Sequence, residues 1–163
     1  MIVRDFQERD WPQVWTIIEQ VVRAGDTFPY PRDLTEEQAR ALWLDNGPRG
    51  RVAVAVDERA VVGTAKMGPN RPGPGQHVAT ASYMVRSGVR GQGVGRALVV
   101  DSLAWVRANG YAAMQFNAVV EQNVGAVRLY EELGFRIIGT VPQAHQLPDG
   151  RRVGLHVMHT AWA

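Results

Sequence analysis

Val89-Arg90-Gly91-Gln92-Gly93-Val94-Gly95-Arg96 follows an apolar, strand-like run and leads straight into an amphipathic helical pattern. Three glycines in five residues let the backbone approach a ligand closely. Without Cβ atoms in the way, their amide N–H groups can turn toward one centre. The helix that begins there adds unpaired N–H groups and the positive end of its dipole. Arg90 and Arg96 bring matching charge, so the stretch reads as an anion cradle suited to a pyrophosphate.

The glycine spacing narrows the kind of phosphate binder. A dinucleotide-binding Rossmann loop wants its third glycine where Arg96 stands, which excludes it. A nucleoside-triphosphate P-loop closes on Gly-Lys-Ser/Thr, and Gly95-Arg96-Ala97 offers neither the lysine nor the hydroxyl. Arg90-Gly91-Gln92-Gly93-Val94-Gly95 does fit Arg/Gln-x-x-Gly-x-Gly/Ala, and so resembles the acetyl-coenzyme A loop of the GCN5-related N-acetyltransferases, the GNAT family. Taken alone, the same glycines also serve a plain turn and cap.

A second segment lies some thirty residues on, Asn123-Val124-Gly125-Ala126-Val127-Arg128-Leu129-Tyr130-Glu131-Glu132-Leu133-Gly134-Phe135. Asn123 is a good N-cap, Ala126, Leu129, Tyr130 and Leu133 share one helical face, and Gly134 is placed to end the helix. The segment resembles the other signature of the same family, at the family's distance from the glycine loop.

Around these motifs the pattern predicts a strand over Ile2–Phe6 and a helix capped by Asp10, with Val14, Ile17, Ile18, Val21 and Val22 on its apolar face. Thr35 and Gln38 form a capping box for a helix reaching about Leu44. Strands Arg51–Val56 and Ala60–Met67 flank a tight turn at Asp57-Glu58-Arg59, and the Pro/Gly-rich stretch 68–75 reads as loop. A strand over His77–Val85 feeds the glycine loop. A helix follows that buries Val99, Leu103 and Val106, then a strand over Met114–Val119, the Asn123 helix, and strands Arg136–Val141 and Val153–Thr160. No repeat or linker interrupts residues 1–163, which read as one domain.

This order is the one the resemblance implies: an α/β (α+β) GNAT fold, with one mixed, mostly antiparallel twisted sheet of about seven strands flanked by four helices. Its central parallel pair, here His77–Val85 and Met114–Val119, splays apart. The resemblance further implies that acetyl-CoA inserts its pantetheine arm there against backbone groups of Tyr83, Met84 and Val85. It implies that the pyrophosphate rests on Arg90, Gly91, Gln92, Gly93, Val94, Gly95 and Arg96, and that Asn123 contacts the pantetheine from the other wall.

The implied reaction is direct attack of an amine on a thioester in a ternary complex. The oxyanion needs donors, for which backbone N–H groups near Val85 are the family's answer. The departing thiolate gains from a proton, and Tyr130, matching the family's helix tyrosine, is the candidate general acid; packing is its alternative role. Relatives often place a glutamate on the strand that here carries Thr80, Ala81 and Ser82, so a base is left to His77 or Glu121. His156 and His159 are three apart on a strand and point to opposite faces, and no metal is expected.

The loop Gly25-Asp26-Thr27-Phe28-Pro29-Tyr30-Pro31 lies where relatives build one wall of the acceptor pocket. Phe28 and Tyr30 serve either packing or substrate contact there. The segments 68–73, His77 and 116–123 look like the acetyltransferases that detoxify proline analogues, in which an asparagine at the place of Asn117 holds the acceptor carboxylate. A second substrate asparagine of that subgroup falls near Thr80. Phosphinothricin acetyltransferases share this acceptor class. The expectation is an N-acetyltransferase of a small polar amine, an amino acid or analogue. The alternatives are a non-catalytic acetyl-CoA sensor and an acetyltransferase of protein amines.

Composition agrees. With no cysteine there is neither disulfide nor thiol nucleophile. A formal net charge of only +2, with dispersed arginines, argues against nucleic acid. No apolar run is long enough to span a membrane, and Met1-Ile2-Val3-Arg4-Asp5 lacks the apolar core of a signal peptide, so a cytoplasmic enzyme is expected, with a homodimer as the family's frequent state.

Overall fold

The structure, a computed structural model, describes residues 1–162. The elements run β1 (Ile2–Asp5), α1 (Trp11–Ala24), α2 (Glu36–Leu44), β2 (Arg51–Asp57), β3 (Ala60–Pro69), β4 (Val78–Val85), α3 (Val94–Ala108), β5 (Ala113–Val120), α4 (Val124–Glu132), β6 (Arg136–Gln146) and β7 (Arg152–Ala161). Short 3-10 turns lie at Glu8–Asp10 and Gly73–Gly75. The strands form one seven-stranded sheet in the order β1-β2-β3-β4-β5-β7-β6. Every pairing is antiparallel except β4 with β5. This is the mixed sheet with four helices and one parallel pair that the sequence led us to expect.

Alternation along the strands divides the core between the two faces of the sheet. Val54 joins Val14, Ile17, Ile18, Val22 and Trp43 under α1 and α2. Its neighbours Ala53 and Ala55 join Val94 and Leu98 of α3. The small residues let α3 sit low on the sheet: a Cβ added to Gly63 would meet Val94 Cγ1 at 2.8 Å and Leu98 Cδ1 at 3.0 Å. That close approach brings the start of α3 against the end of β4. Leu103, Val106, Met114, Phe116, Phe135 and Met158 complete the core on the α3 side.

The parallel pair is short. β4 and β5 are in register only at Val78↔Ala113 and Ala79↔Met114. Beyond that point β4 stays on β3 as far as Val85, while β5 stays on β7 through a bulge between Phe116 and Val119. The two strands part, as expected. The Arg86 N–H donates to Val62 O at 2.9 Å, toward β3. Because backbone groups alternate sides along a strand, those of Met84 face β3 and those of Ala81, Tyr83 and Val85 face the gap.

Four local expectations change. Asp10 does not cap α1 through its side chain: its carboxylate takes two hydrogen bonds from Arg4, at 2.7 and 2.8 Å, and one from the Gln7 N–H at 2.8 Å. A buried carboxylate gains more from a guanidinium than from a single helix amide. β3 continues through Gly68 and Pro69, expected as loop, because both still pair with β4 and a proline at a strand's last position gives up little. β1 stops at Asp5, although the Phe6 N–H still donates to Val52 O at 3.0 Å. β6 runs five residues beyond the expected Val141, past an irregularity between Val141 and His145 and a left-handed Gln143 at φ +52°. The Thr35–Gln38 capping box forms as expected. No helix among the described residues is long and apolar enough to cross a membrane.

Candidate active site

Gly91 and Gly93 both take φ +81°, the left-handed region that favours glycine. No heavy atom lies within 4 Å of a Cβ built on either, so the space beside them is open. Gly93 is the N-cap of α3 and supplies no side-chain cap, and the first bond into the helix is Ala97 N–H to Gly93 O at 3.0 Å. The N–H groups of Val94, Gly95 and Arg96 therefore have no acceptor among the described residues. They open into a cleft of about 400 Å³.

Tyr83, Met84 and Val85 line one wall of this cleft, Arg90, Gly91, Gly93, Val94, Gly95 and Arg96 its floor, and Asn123 and Tyr130 the far wall. Gln92 does not. Its N–H is spent on Val89 O at 3.3 Å, and the residue lines a separate hollow with Asp57 and Arg86. Of the three β4 residues, only Tyr83 and Val85 offer backbone groups to the gap, since those of Met84 belong to β3. Arg96 is ion-paired with Glu132, which ties the start of α3 to the end of α4. Asn123 makes no side-chain cap, contrary to expectation, and its own N–H donates to Val120 O at 2.9 Å.

A second cavity of about 190 Å³ adjoins the first and shares Thr27, Tyr83, Asn123, Ala126 and Tyr130 with it. Phe28, Tyr30, Thr80 and Asn117 line it. His77 does not: its Nδ1 lies 3.1 Å from Pro74 O, and it precedes the paired end of β4 while the cavity sits at the parted end. Phe28 and Tyr30 meet edge to face at 4.7 Å. Behind Tyr30 stands Lys66, whose Nζ is 5.9 Å from the Tyr30 ring centroid, 5.6 Å from that of Trp43, and donates to Leu42 O at 2.6 Å. Burial lowers the pKa of Lys66 and raises that of Tyr30. Asn117 donates to Asn70 Oδ1 at 2.7 Å and accepts from Gln115 Nε2 at 2.9 Å, so the amide that lines the cavity is held between two others.

Two tyrosines divide the cavities and differ in what their hydroxyls do. Tyr83 is hydrogen-bonded to Ser102 Oγ at 2.5 Å, and Ser102 in turn donates to Val99 O at 2.9 Å, so this phenol is tied into the core. Tyr130 packs its ring 4.6 Å from Phe116, 6.0 Å from Phe135 and 6.2 Å from Tyr83, and its hydroxyl has no partner among the described residues. Desolvation pushes the pKa of both phenols well above the ordinary value, which keeps Tyr130 a protonated donor. No Asp, Glu or His lines either cavity. Glu121, a candidate base, accepts instead from the Gly154 N–H at 2.6 Å. No cluster of three His, Asp or Glu side chains suited to a metal gathers among the described residues.

Sequence reasoning named the segments that hold Thr27 and Ala126 without singling out either residue for the site, and missed Ser102. A serine buried on an apolar helix face is a signal that a partner hydroxyl waits nearby; Thr27 and Ala126 carry none.

Residues 7–135 match the Acetyltransferase (GNAT) family. The L-methionine sulfoximine/L-methionine sulfone acetyltransferase of Pseudomonas aeruginosa is 32% identical over 152 residues, covering 88% of this chain and 85% of that protein. A GCN5-related N-acetyltransferase structure from Kribbella flavida is 52% identical, with TM-score 0.94 over 98% of this chain and 96% of that one. The ribosomal-protein-alanine N-acetyltransferase structure from Brucella melitensis is 29% identical, with TM-score 0.88 over 99% and 100%. Protein SPT10 of Saccharomyces cerevisiae matches at 34% over 87 residues, 53% of this chain but only 14% of that protein.

Proposed function

This chain belongs to the GNAT acetyltransferase family and is an acyltransferase, and from that premise we propose that it moves the acetyl group of acetyl-CoA to the amine of a small polar acceptor of the amino-acid class. The observation that carries the proposal is Tyr130, whose hydroxyl has no partner among the described residues and stands where two cavities meet. One cavity ends in free helix amides and the other in amide side chains.

The residues present suit the co-substrate. A Cβ at Gly91 or Gly93 would occupy open space beside the cradle, and the Val94, Gly95 and Arg96 amides with Arg90 supply donors and charge for a pyrophosphate. Tyr83 and Val85 offer unpaired strand groups to the pantetheine amides, and Asn123 faces them across the cleft. Acetyl-CoA brings an activated thioester. The Val85 N–H polarises the reacting carbonyl, and Tyr130 donates to the sulfur as it leaves. No cavity-lining carboxylate or imidazole takes the ammonium proton, so the acceptor enters as the free amine or gives its proton to water. Asn117 and Thr80, with Phe28 and Tyr30 opposite, hold the acceptor; the likeness to the methionine sulfoximine and sulfone enzyme supports an amino-acid analogue.

The likeness to the ribosomal-protein-alanine enzyme favours a second acceptor, the α-amine of a peptide chain end. A cytoplasmic location, residues 1–163 as a single domain and a homodimer belong to the same proposal. Exposed Ile137, Ile138 and Val141 on edge strand β6 support the dimer, which sedimentation tests. Calorimetric titration tests the co-substrate: acetyl-CoA binds at one site per chain and competes with CoA, and no heat or competition overturns the proposal.

A further inference from the structure

His145 is the one buried residue of β6, 8% exposed in a strand otherwise open to solvent. The strand reaches this point through its irregularity between Val141 and His145 and the left-handed Gln143. There His145 Nε2 lies 3.1 Å from the carbonyl oxygen of Gly25, 120 residues away in sequence. Gly25 ends α1 at φ +70°, so its carbonyl belongs to the negative end of the helix dipole and welcomes an N–H donor.

The loop that leaves Gly25 carries one wall of the acceptor cavity: Thr27 faces both cavities, and Phe28, Pro29 and Tyr30 face the acceptor. None of the residues Asp26 to Tyr30 makes a backbone hydrogen bond among the described residues. Two side-chain hydrogen bonds hold the loop's ends, His145 to Gly25 O and Arg32 Nε to Arg23 O at 3.0 Å, beside the Gly25 N–H bond to Val21 O at 3.4 Å that closes α1. Two residues beyond His145, Leu147 packs with Val120 and Val153, and Val120 lines the acceptor cavity from β5. The far end of the β6–β7 hairpin therefore grips both walls of that cavity, the loop by a hydrogen bond and β5 by apolar contact.

We infer that His145 is a positioning residue that clasps the loop 25–30 over the acceptor cavity and so sets acceptor affinity without touching the acceptor. Without the tie, the loop samples open arrangements and acceptor binding bears the cost of ordering it. The coenzyme cleft is floored by α3 and takes only Thr27 from this loop, so it is disturbed far less. The kinetic consequence rests on the function proposed above; the tie itself does not.

Two measurements on wild type, His145→Ala and His145→Gln test this. By amide hydrogen exchange, His145→Ala speeds exchange at residues 26–30 about tenfold while α1 and β4 keep wild-type protection, and His145→Gln, which retains a donor, restores it. In steady-state kinetics, His145→Ala raises the acceptor KM about five- to tenfold, the scale of one lost hydrogen bond, with kcat and the acetyl-CoA KM within about twofold. Unchanged exchange at 26–30, loosening spread evenly over the fold, or a parallel rise of both KM values overturns the clasp. If wild type acetylates no acceptor, the proposed function falls and exchange alone decides the clasp.

Discussion

Replacing Tyr130 by phenylalanine removes one hydroxyl and leaves the ring. The ring holds its contacts with Phe116 at 4.6 Å and Phe135 at 6.0 Å, and no protein group loses a hydrogen-bond partner, since the hydroxyl has none among the described residues. Stability should therefore change by less than about 0.5 kcal/mol. The far wall of the coenzyme cleft keeps its shape, so acetyl-CoA affinity should stay within about twofold. Turnover is different. Losing a positioned proton donor costs roughly 10²–10⁴ in rate, or about 3–5 kcal/mol of barrier. Because burial raises the phenol's pKa, the group stays protonated to well above neutral pH and acts as donor; the basic limb of the kcat profile should not come from it below about pH 10. The assay pairs calorimetry for acetyl-CoA with thiol release at saturating acceptor. Turnover within about threefold of wild type would reduce Tyr130 to a packing residue. A parallel fall in affinity and turnover would mean that it shapes the cleft instead of serving the chemistry.

Gly93→Ala forces a Cβ into the left-handed region, at a cost of about 1–2 kcal/mol, and adds a methyl in the open space beside the cradle, so both thermal midpoint and acetyl-CoA affinity should fall. Gly95→Ala separates these effects: its Cβ would meet Leu129 Cδ2 at 3.6 Å, an ordinary contact, so the midpoint should hold while calorimetry shows weaker binding at the cleft floor. Ser102→Ala leaves the Tyr83 hydroxyl with only Met114 Sδ at 4.0 Å and should lower unfolding free energy by about 1–2 kcal/mol, read by denaturant titration. The Arg4 guanidinium holds the Asp10 carboxyl below its usual pKa, so this pair stabilises the fold above about pH 4 and is lost as pH falls through the depressed value. Asp10→Asn should cost about 3 kcal/mol at pH 7, and its difference from wild type should shrink steadily in acid.

Features written locally were legible in the sequence. The glycine spacing at 91, 93 and 95, the apolar face of α1 and the Thr35–Gln38 box each depend on residues within one or two turns of each other. Partnerships across the fold were not legible. Asp10 looks like a side-chain cap until β1 brings Arg4 to it, and Asn123 holds the N-cap position of α4, its carbonyl taking the Val127 N–H, without its side chain reaching a helix amide. His77 sits near the site in sequence but at the closed end of the parallel pair, a matter of two register positions. β6 hides its length because an almost wholly exposed strand shows no alternation. His145 is buried by a contact 120 residues distant, which no periodicity announces.

The central claim is acetyl transfer to a small amine at the junction beside Tyr130. It is tested most directly by CoA release from acetyl-CoA across a panel of amines: methionine sulfone, methionine sulfoximine, phosphinothricin, azetidine-2-carboxylate, and a peptide with N-terminal alanine. Acceptor-dependent release is expected with at least one of the small amino-acid analogues, together with an N-acetylated product by mass spectrometry. Release with the peptide alone, or none with any amine despite tight acetyl-CoA binding, would contradict it.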